Sequence, residues 1–245
     1  MEDPISHLEK FGYCCIKEAL PRTEALALGQ HCLALHANPN HAPHVVGDQH
    51  YQTLFGMLNL DERVWRYASH PRVVDIARHF LGPTCRVVEA CSKPTWPGAP
   101  AQPLHADSTG SFLRVPDIPW MINTIWALSD FTANNGATGV VPMSHTTRLK
   151  APPTHLDPAS IIPIEAPAGS VVLWHGGLWH QARANTSQHV RIGLNIAYYP
   201  RWFNNWMENG HQPVHPETFQ RMPLAMQALC PGRRARSRDE AYEIR

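Results

Sequence analysis

The alternation of apolar and polar positions changes character near residue 84. Before it, the apolar positions recur at helical spacing. Residues 4–10 predict a short helix entered after Asp3, with Pro4 at a position that needs no amide. Gly12 to Ile16 reads as a strand, and residues 22–37 (RTEALALGQHCLALHA) as a longer helix. A second helical stretch over about 61–81 carries Val64, Trp65, Tyr67, Ala68, Val73, Val74, Ile76, Ala77 and Leu81, and closes at Gly82-Pro83. Pro71 disfavours helical geometry at His70, which predicts a split into two helices there.

Beyond residue 84 the runs are short, strand-like and separated by Gly and Pro. They cover 85–92, 101–107, 121–129, 138–142, 160–164, 169–175, 178–183 and 190–199. Many short strands without alternating helices point to a mainly β fold with flanking helices, a jelly roll rather than a βαβ sheet. With 23 prolines and no repeat or evident linker, the expectation is one domain over 1–245. It comprises a helical part to about 84, a jelly-roll core over about 85–200 and a lid and tail over about 201–245.

Composition narrows the function classes. The chain is 43% hydrophobic and 17% charged with a net charge of +1, which gives no reason to expect nucleic acid or an acidic membrane as partner. The basic run Arg233-Arg234-Ala235-Arg236 reads as a solvated tail. No run reaches the roughly 18 apolar residues of a membrane span. The six cysteines show no CxxC spacing, and the first ten residues lack the apolar core of a secretory signal, so a cytoplasmic location is expected.

The chemistry is carried by His105-Ala106-Asp107, His180 and Arg191. Residues two apart on a strand share a face, so His105 and Asp107 can grip one ion from a single strand. Two imidazoles and one carboxylate bind one face of Fe(II) and leave the other open. The His-X-Asp pattern alone is weak, since with 16 histidines in the chain roughly 0.6 such pairs are expected by chance. A second one, His155-Leu156-Asp157, lies between prolines that favour a loop. His175 and His180 compete for the third ligand, and His180, which leads towards Arg191, is preferred. The planar fork of Arg191 suits a carboxylate. The remaining histidines, among them 31, 36, 41, 44 and 50, are read as surface or hydrogen-bonded residues.

Four ordered motifs then resemble one family. They are Pro97 to Asp107 (PGAPAQPLHAD), Asn135 to His145 (NGATGVVPMSH), Leu178 to Ser187 (LWHQARANTS) and Arg191, joined by the N-terminal Phe11-Gly12-Tyr13. The chain resembles the phytanoyl-CoA dioxygenase family of Fe(II)/2-oxoglutarate oxygenases, and the likeness covers about residues 5–210. The resemblance implies a double-stranded β-helix, with His105, Asp107 and His180 as iron ligands and Arg191 pairing with the C5 carboxylate of 2-oxoglutarate. In the natural-product branch of the family, it further implies co-substrate contacts at Gln102 and Thr138 and a pocket tryptophan at Trp126. O2 is the second co-substrate. Retention of Asp107 favours hydroxylation, desaturation or a related oxidation over halogenation.

Two departures stand out. Ala182 replaces a serine that helps hold the co-substrate in some members, and Pro142-Met143-Ser144-His145 replaces the usual Pro-Gly-Ser-His. The aromatic segment Tyr198 to Trp206 follows the last strand, where relatives build a wall or lid. A small apolar secondary metabolite is the expected substrate, ahead of an acyl-CoA, and a homodimer is the expected assembly. The rival readings are a non-catalytic jelly-roll module that keeps a metal pocket, and a metal-dependent lyase or isomerase that would not need Arg191.

Overall fold

The structure is a computed structural model, and it describes residues 3–107, 119–147, 149, 151–202 and 213–230. The basic run at 233–236 and the Phe203 to Trp206 part of the aromatic segment lie outside these residues. Helix α1 spans Pro4–Phe11, where the Asp3 carboxylate accepts from the Ser6 amide and Gly12 closes the helix in the left-handed conformation. Strand β1 (Tyr13–Ile16) and helix α2 (Arg22–Ala37) follow, as the sequence pattern predicts. Strands β2 (Val45–Gly47) and β3 (Gln52–Leu54) form a hairpin that the hydrophobic pattern does not announce. After α3 (Met57–Leu60), the predicted split occurs: α4 spans Arg63–Ala68 and α5 Pro71–Leu81, with His70 extended between them.

Seven more strands build the core: β4 (Arg86–Thr95), β5 (Ile122–Ala127), β6 (Thr138–Val140), β7 (Ile162–Pro163), β8 (Val171–His175), β9 (His180–Ala182) and β10 (Arg191–Tyr199). Two short helices, α6 (Pro216–Arg221) and α7 (Leu224–Leu229), end the described chain. A seven-stranded sheet runs β1-β8-β5-β10-β4-β3-β2, and a three-stranded sheet runs β7-β6-β9. Every strand pairing is antiparallel. This is the jelly-roll class, with helices on the outer face of the larger sheet.

The expected strand over 101–107 is not regular, because only His105 within it forms a bridge, and its partner is His180. Pro103 removes one ladder donor from this run, and Pro100 immediately precedes it.

Burial explains why most positions of β10 are apolar. All nine of its residues are buried, because both faces of the strand are covered. Ile192, Leu194, Ile196 and Tyr198 pack into the main core shared with α2, α4 and α5. The alternate residues face the other way: Arg191 and Asn195 line a cavity, and Ala197 and Tyr199 pack with Val88, Trp120 and Met121. That second face holds the site.

Candidate metal centre

Two imidazoles 75 positions apart in sequence are brought together by one backbone pair. The His105 amide donates to the His180 carbonyl at 3.0 Å, and the His180 amide donates back at 2.8 Å. Residues paired this way present neighbouring side chains, and the two ring centroids lie 4.5 Å apart. Each ring is oriented by a carbonyl. His105 Nδ1 donates to Pro103 O at 2.9 Å and His180 Nδ1 to Leu178 O at 3.0 Å. A carbonyl can only accept, so Nδ1 is the donor in each ring and Nε2 is the nitrogen left to offer a lone pair to a metal.

Asp107 completes the group. Its Oδ2 accepts from Trp174 Nε1 at 2.9 Å and from Asn123 Nδ2 at 3.1 Å. That leaves Oδ1 facing the imidazoles, 3.6 Å from His180 Nε2 and 4.0 Å from His105 Nε2. The three ligand atoms all lie within 4.8 Å of one another. Metal–ligand bonds of roughly 2.0–2.2 Å put adjacent ligand atoms about 3 Å apart, so a small inward shift closes the set on one ion. Two neutral nitrogens and one carboxylate oxygen suit Fe(II), and the three named residues fit it.

Charge around the site is consistent with this. Burial raises the Asp107 pKa, but His180, His105 and the hydrogen bonds from Asn123 and Trp174 outweigh it and hold the carboxyl below its ordinary value. Burial pushes the His180 ring below the usual histidine range against the pull of Asp107, which keeps it neutral. Among the described residues, His175 does not join the converging set. Its Nδ1 accepts from the Gly177 amide at 2.9 Å, and its ring lies 5.3 Å from that of His145. The second His-X-Asp pair is also accounted for, since the Asp157 carboxylate caps the short helical turn at 158–160.

The cavity in front of these ligands has a volume of about 180 Å³ and includes Arg191, Thr138, Gln102 and Lys93 in its wall. Arg191 is 3% exposed, and its Nη2 donates to Thr138 Oγ1 at 3.2 Å. Burial lowers its pKa to about 10, so it stays charged at neutral pH. Gln102 is pinned to β9, accepting from the Ala182 amide at 3.2 Å and donating its own amide to Ala182 O at 2.9 Å.

Trp126 is a correction. It is fully buried on the opposite face of β5, where its ring packs edge-on against Tyr67 at 5.0 Å and beside His70 at 5.4 Å. Strand alternation is the reason, because Asn123 and Ile125 take the cavity side. Tyr198 likewise points to the helices, its hydroxyl donating to Ala68 O at 2.8 Å.

Sequence reasoning missed Lys93, Asn123, Trp174 and Asn195, which all line the cavity. The signal was a lysine within a strand that is otherwise almost wholly buried, and two asparagines in apolar runs. Burial lowers the Lys93 pKa, but Cys91, Glu89 and Asp107 together raise it overall, so a second cation stands beside Arg191.

The sequence pattern of phytanoyl-CoA dioxygenases matches residues 8–193, three-quarters of the chain. The chain belongs to the phytanoyl-CoA dioxygenase family. Together with the ligand set, that makes it a non-haem iron dioxygenase with 2-oxoglutarate as co-substrate.

Among curated relatives, dioxygenase af480 of Aspergillus fumigatus is 29% identical over 223 residues, covering 84% of this chain and 70% of that protein. Dioxygenase trt7 of Aspergillus terreus is 34% identical over 121 residues, 48% of this chain. The matched region spans only 42% of that relative's length. Two solved structures share the fold. The non-haem α-ketoglutarate-dependent carbocyclase SnoK from nogalamycin biosynthesis superposes with a TM-score of 0.65 at 21% identity, over 82% of this chain and 84% of its own. EctD from S. alaskensis with bound Fe gives 0.67 at 19% identity, over 80% and 75%.

Proposed function

We propose that this dioxygenase oxidises an aliphatic C–H bond of a small, largely apolar secondary metabolite, by hydroxylation, desaturation or a related step. His105, Asp107 and His180 would hold the iron, and Arg191, Thr138 and Gln102 would hold 2-oxoglutarate. Bound together, these groups supply O2 activation coupled to conversion of 2-oxoglutarate to succinate and CO2. The protein's part is to fix the ligands, to offer a buried cation to the distal carboxylate and to keep water from the reacting centre.

One observation carries the reading: three convergent ligand atoms and a buried arginine share one small cavity. A lyase or isomerase that uses no dicarboxylate co-substrate would not need that arginine. Lys93 adds a second positive charge suited to a dicarboxylate co-substrate. The His105 side chain is 43% exposed while that of His180 is 8% exposed, which favours approach of the organic substrate from the His105 side. The fungal dioxygenases among the relatives support a secondary-metabolite substrate. We further propose that residues 1–245 act as one domain and that the protein is cytoplasmic and homodimeric. Among the described residues, no helix is long and apolar enough to cross a membrane.

The test is anaerobic binding of 2-oxoglutarate to the Fe(II)-loaded protein, followed by succinate release in air with a panel of apolar metabolites. His180→Ala abolishes both metal retention and turnover. Arg191→Gln raises the KM for 2-oxoglutarate at least ten-fold, on the order of the loss of one charge-assisted pair. Failure of the Fe(II)-loaded protein to bind 2-oxoglutarate would overturn the assignment.

A further inference from the structure

Arg191 is an unusual buried cation. Its side chain is buried on strand β10, its Nε has no hydrogen-bond partner among the described residues, and its described hydrogen bond goes to the neutral Thr138 hydroxyl. A guanidinium in that setting needs something to fix its plane before a carboxylate arrives.

Phe131 supplies it. The Arg191 guanidinium carbon lies 3.9 Å from the centroid of the Phe131 ring, within the range of a strong cation–π contact. Phe131 is 1% exposed, and its backbone is clamped by reciprocal hydrogen bonds with Ala166, at 2.8 and 3.0 Å. The ring edge meets β10 at Gly193. A Cβ there would lie 2.7 Å from Ile125 Cγ1 and Cδ1 and 3.2 Å from Phe131 Cζ. A glycine inside a buried strand otherwise costs stability, and here its absent side chain is the space that Ile125 and the Phe131 ring edge occupy.

We infer that Phe131 is a positioning residue for the co-substrate: seated over Gly193, it holds the Arg191 guanidinium in the plane that receives the distal carboxylate of 2-oxoglutarate. Phe131 does not touch the cavity itself. It acts from behind the arginine, by stacking and by excluding water from that face. The inference rests on the proposed role of Arg191.

The experiment compares two co-substrates on the Fe(II)-loaded protein under anaerobic conditions. 2-Oxoglutarate carries the distal carboxylate, and 2-oxobutanoate lacks it while keeping the oxo-acid end. Phe131→Leu keeps most of the volume and removes the aromatic face. It weakens 2-oxoglutarate binding roughly three- to thirty-fold, as expected for loss of one buried cation–π contact, and leaves 2-oxobutanoate and metal binding unchanged.

Equal loss for both compounds, or no loss for either, overturns the inference. If the Leu variant does not fold, replacement of Phe131 by mono-, di- and trifluorinated phenylalanine keeps the shape and weakens the ring face in steps. Binding of 2-oxoglutarate then falls in the same steps, and a flat response overturns the inference. If the unmodified protein fails to prefer 2-oxoglutarate over 2-oxobutanoate, the fault lies with the assignment of Arg191 and not with Phe131.

Discussion

Asp107 has two carboxylate oxygens, and the protein assigns them different work. Trp174 and Asn123 occupy Oδ2, which leaves Oδ1 for the metal. Asn123 is itself held, because Asn195 Nδ2 donates to its Oδ1 at 2.7 Å and the same oxygen accepts from the Thr124 amide. These bonds fix which end of the Asn123 amide faces Asp107. Asn123→Ala should therefore lower Fe(II) affinity about ten- to a hundred-fold, the usual cost of losing such an outer partner. Anaerobic metal titration measures it, and an unchanged affinity would show that Trp174 alone orients the carboxylate. Met143 offers a prediction of opposite sign. It adopts φ 65° and is 54% exposed. A side chain strains that left-handed conformation, so Met143→Gly should raise stability by about 0.5–1 kcal/mol. Thermal or denaturant unfolding decides it.

At the scale of elements, the helices were legible and the strand faces only partly so. The limits of α2 and the break at His70 follow from apolar periodicity and from Pro71, both local signals. The β2–β3 hairpin was hidden because its three-residue strands carry too few apolar positions to show a period, yet Tyr51, Gln52 and Thr53 reach the cavity wall from it. The run 101–107 misled in the other direction. Alternation suggested a strand, but the ligand pair is delivered by a single bridge to His180, a long-range contact that no local pattern encodes. The metal ligands were still readable, since their residue types and order survive any error in the local geometry. Trp126 was not, because inner and outer faces of a strand covered on both sides look alike in sequence. Trp126→Phe should therefore destabilise the protein by about 1–3 kcal/mol through lost packing on Tyr67 and leave 2-oxoglutarate affinity unchanged. A rise in the Kd for 2-oxoglutarate without a loss of stability would return Trp126 to the pocket.

At the scale of the whole molecule, metal and protons compete for the same folded site. Folding brings His180 to the His105–Asp107 pair, 75 positions from His105 in the chain, so an ion binds the native state preferentially. At a hundred times its Kd, it adds about 2.7 kcal/mol of stability, which chelation removes. The pH at which that increment fades follows from the ligands. Burial depresses the His180 pKa below its unfolded value, so its ring is neutral in the folded protein throughout the neutral range. Below about pH 6.5 the unfolded chain takes up a proton that folded His180 resists, and stability is lost as pH falls towards the depressed folded value. Protonation of Nε2 also displaces the metal, and this happens in the same acidic direction. The Asp107 pKa is depressed too, so its contribution is present above the ordinary carboxylate value and is lost only at still lower pH. The metal-induced rise in Tm should therefore be constant from pH 8 to 7 and should shrink only once the pH falls below about 6.5. Thermal unfolding with Fe(II) and with chelator across that range measures both limbs. A metal increment that already fades between pH 8 and 7 would mean that His180 is not held neutral by burial, and that its ring is not the ligand the geometry makes it.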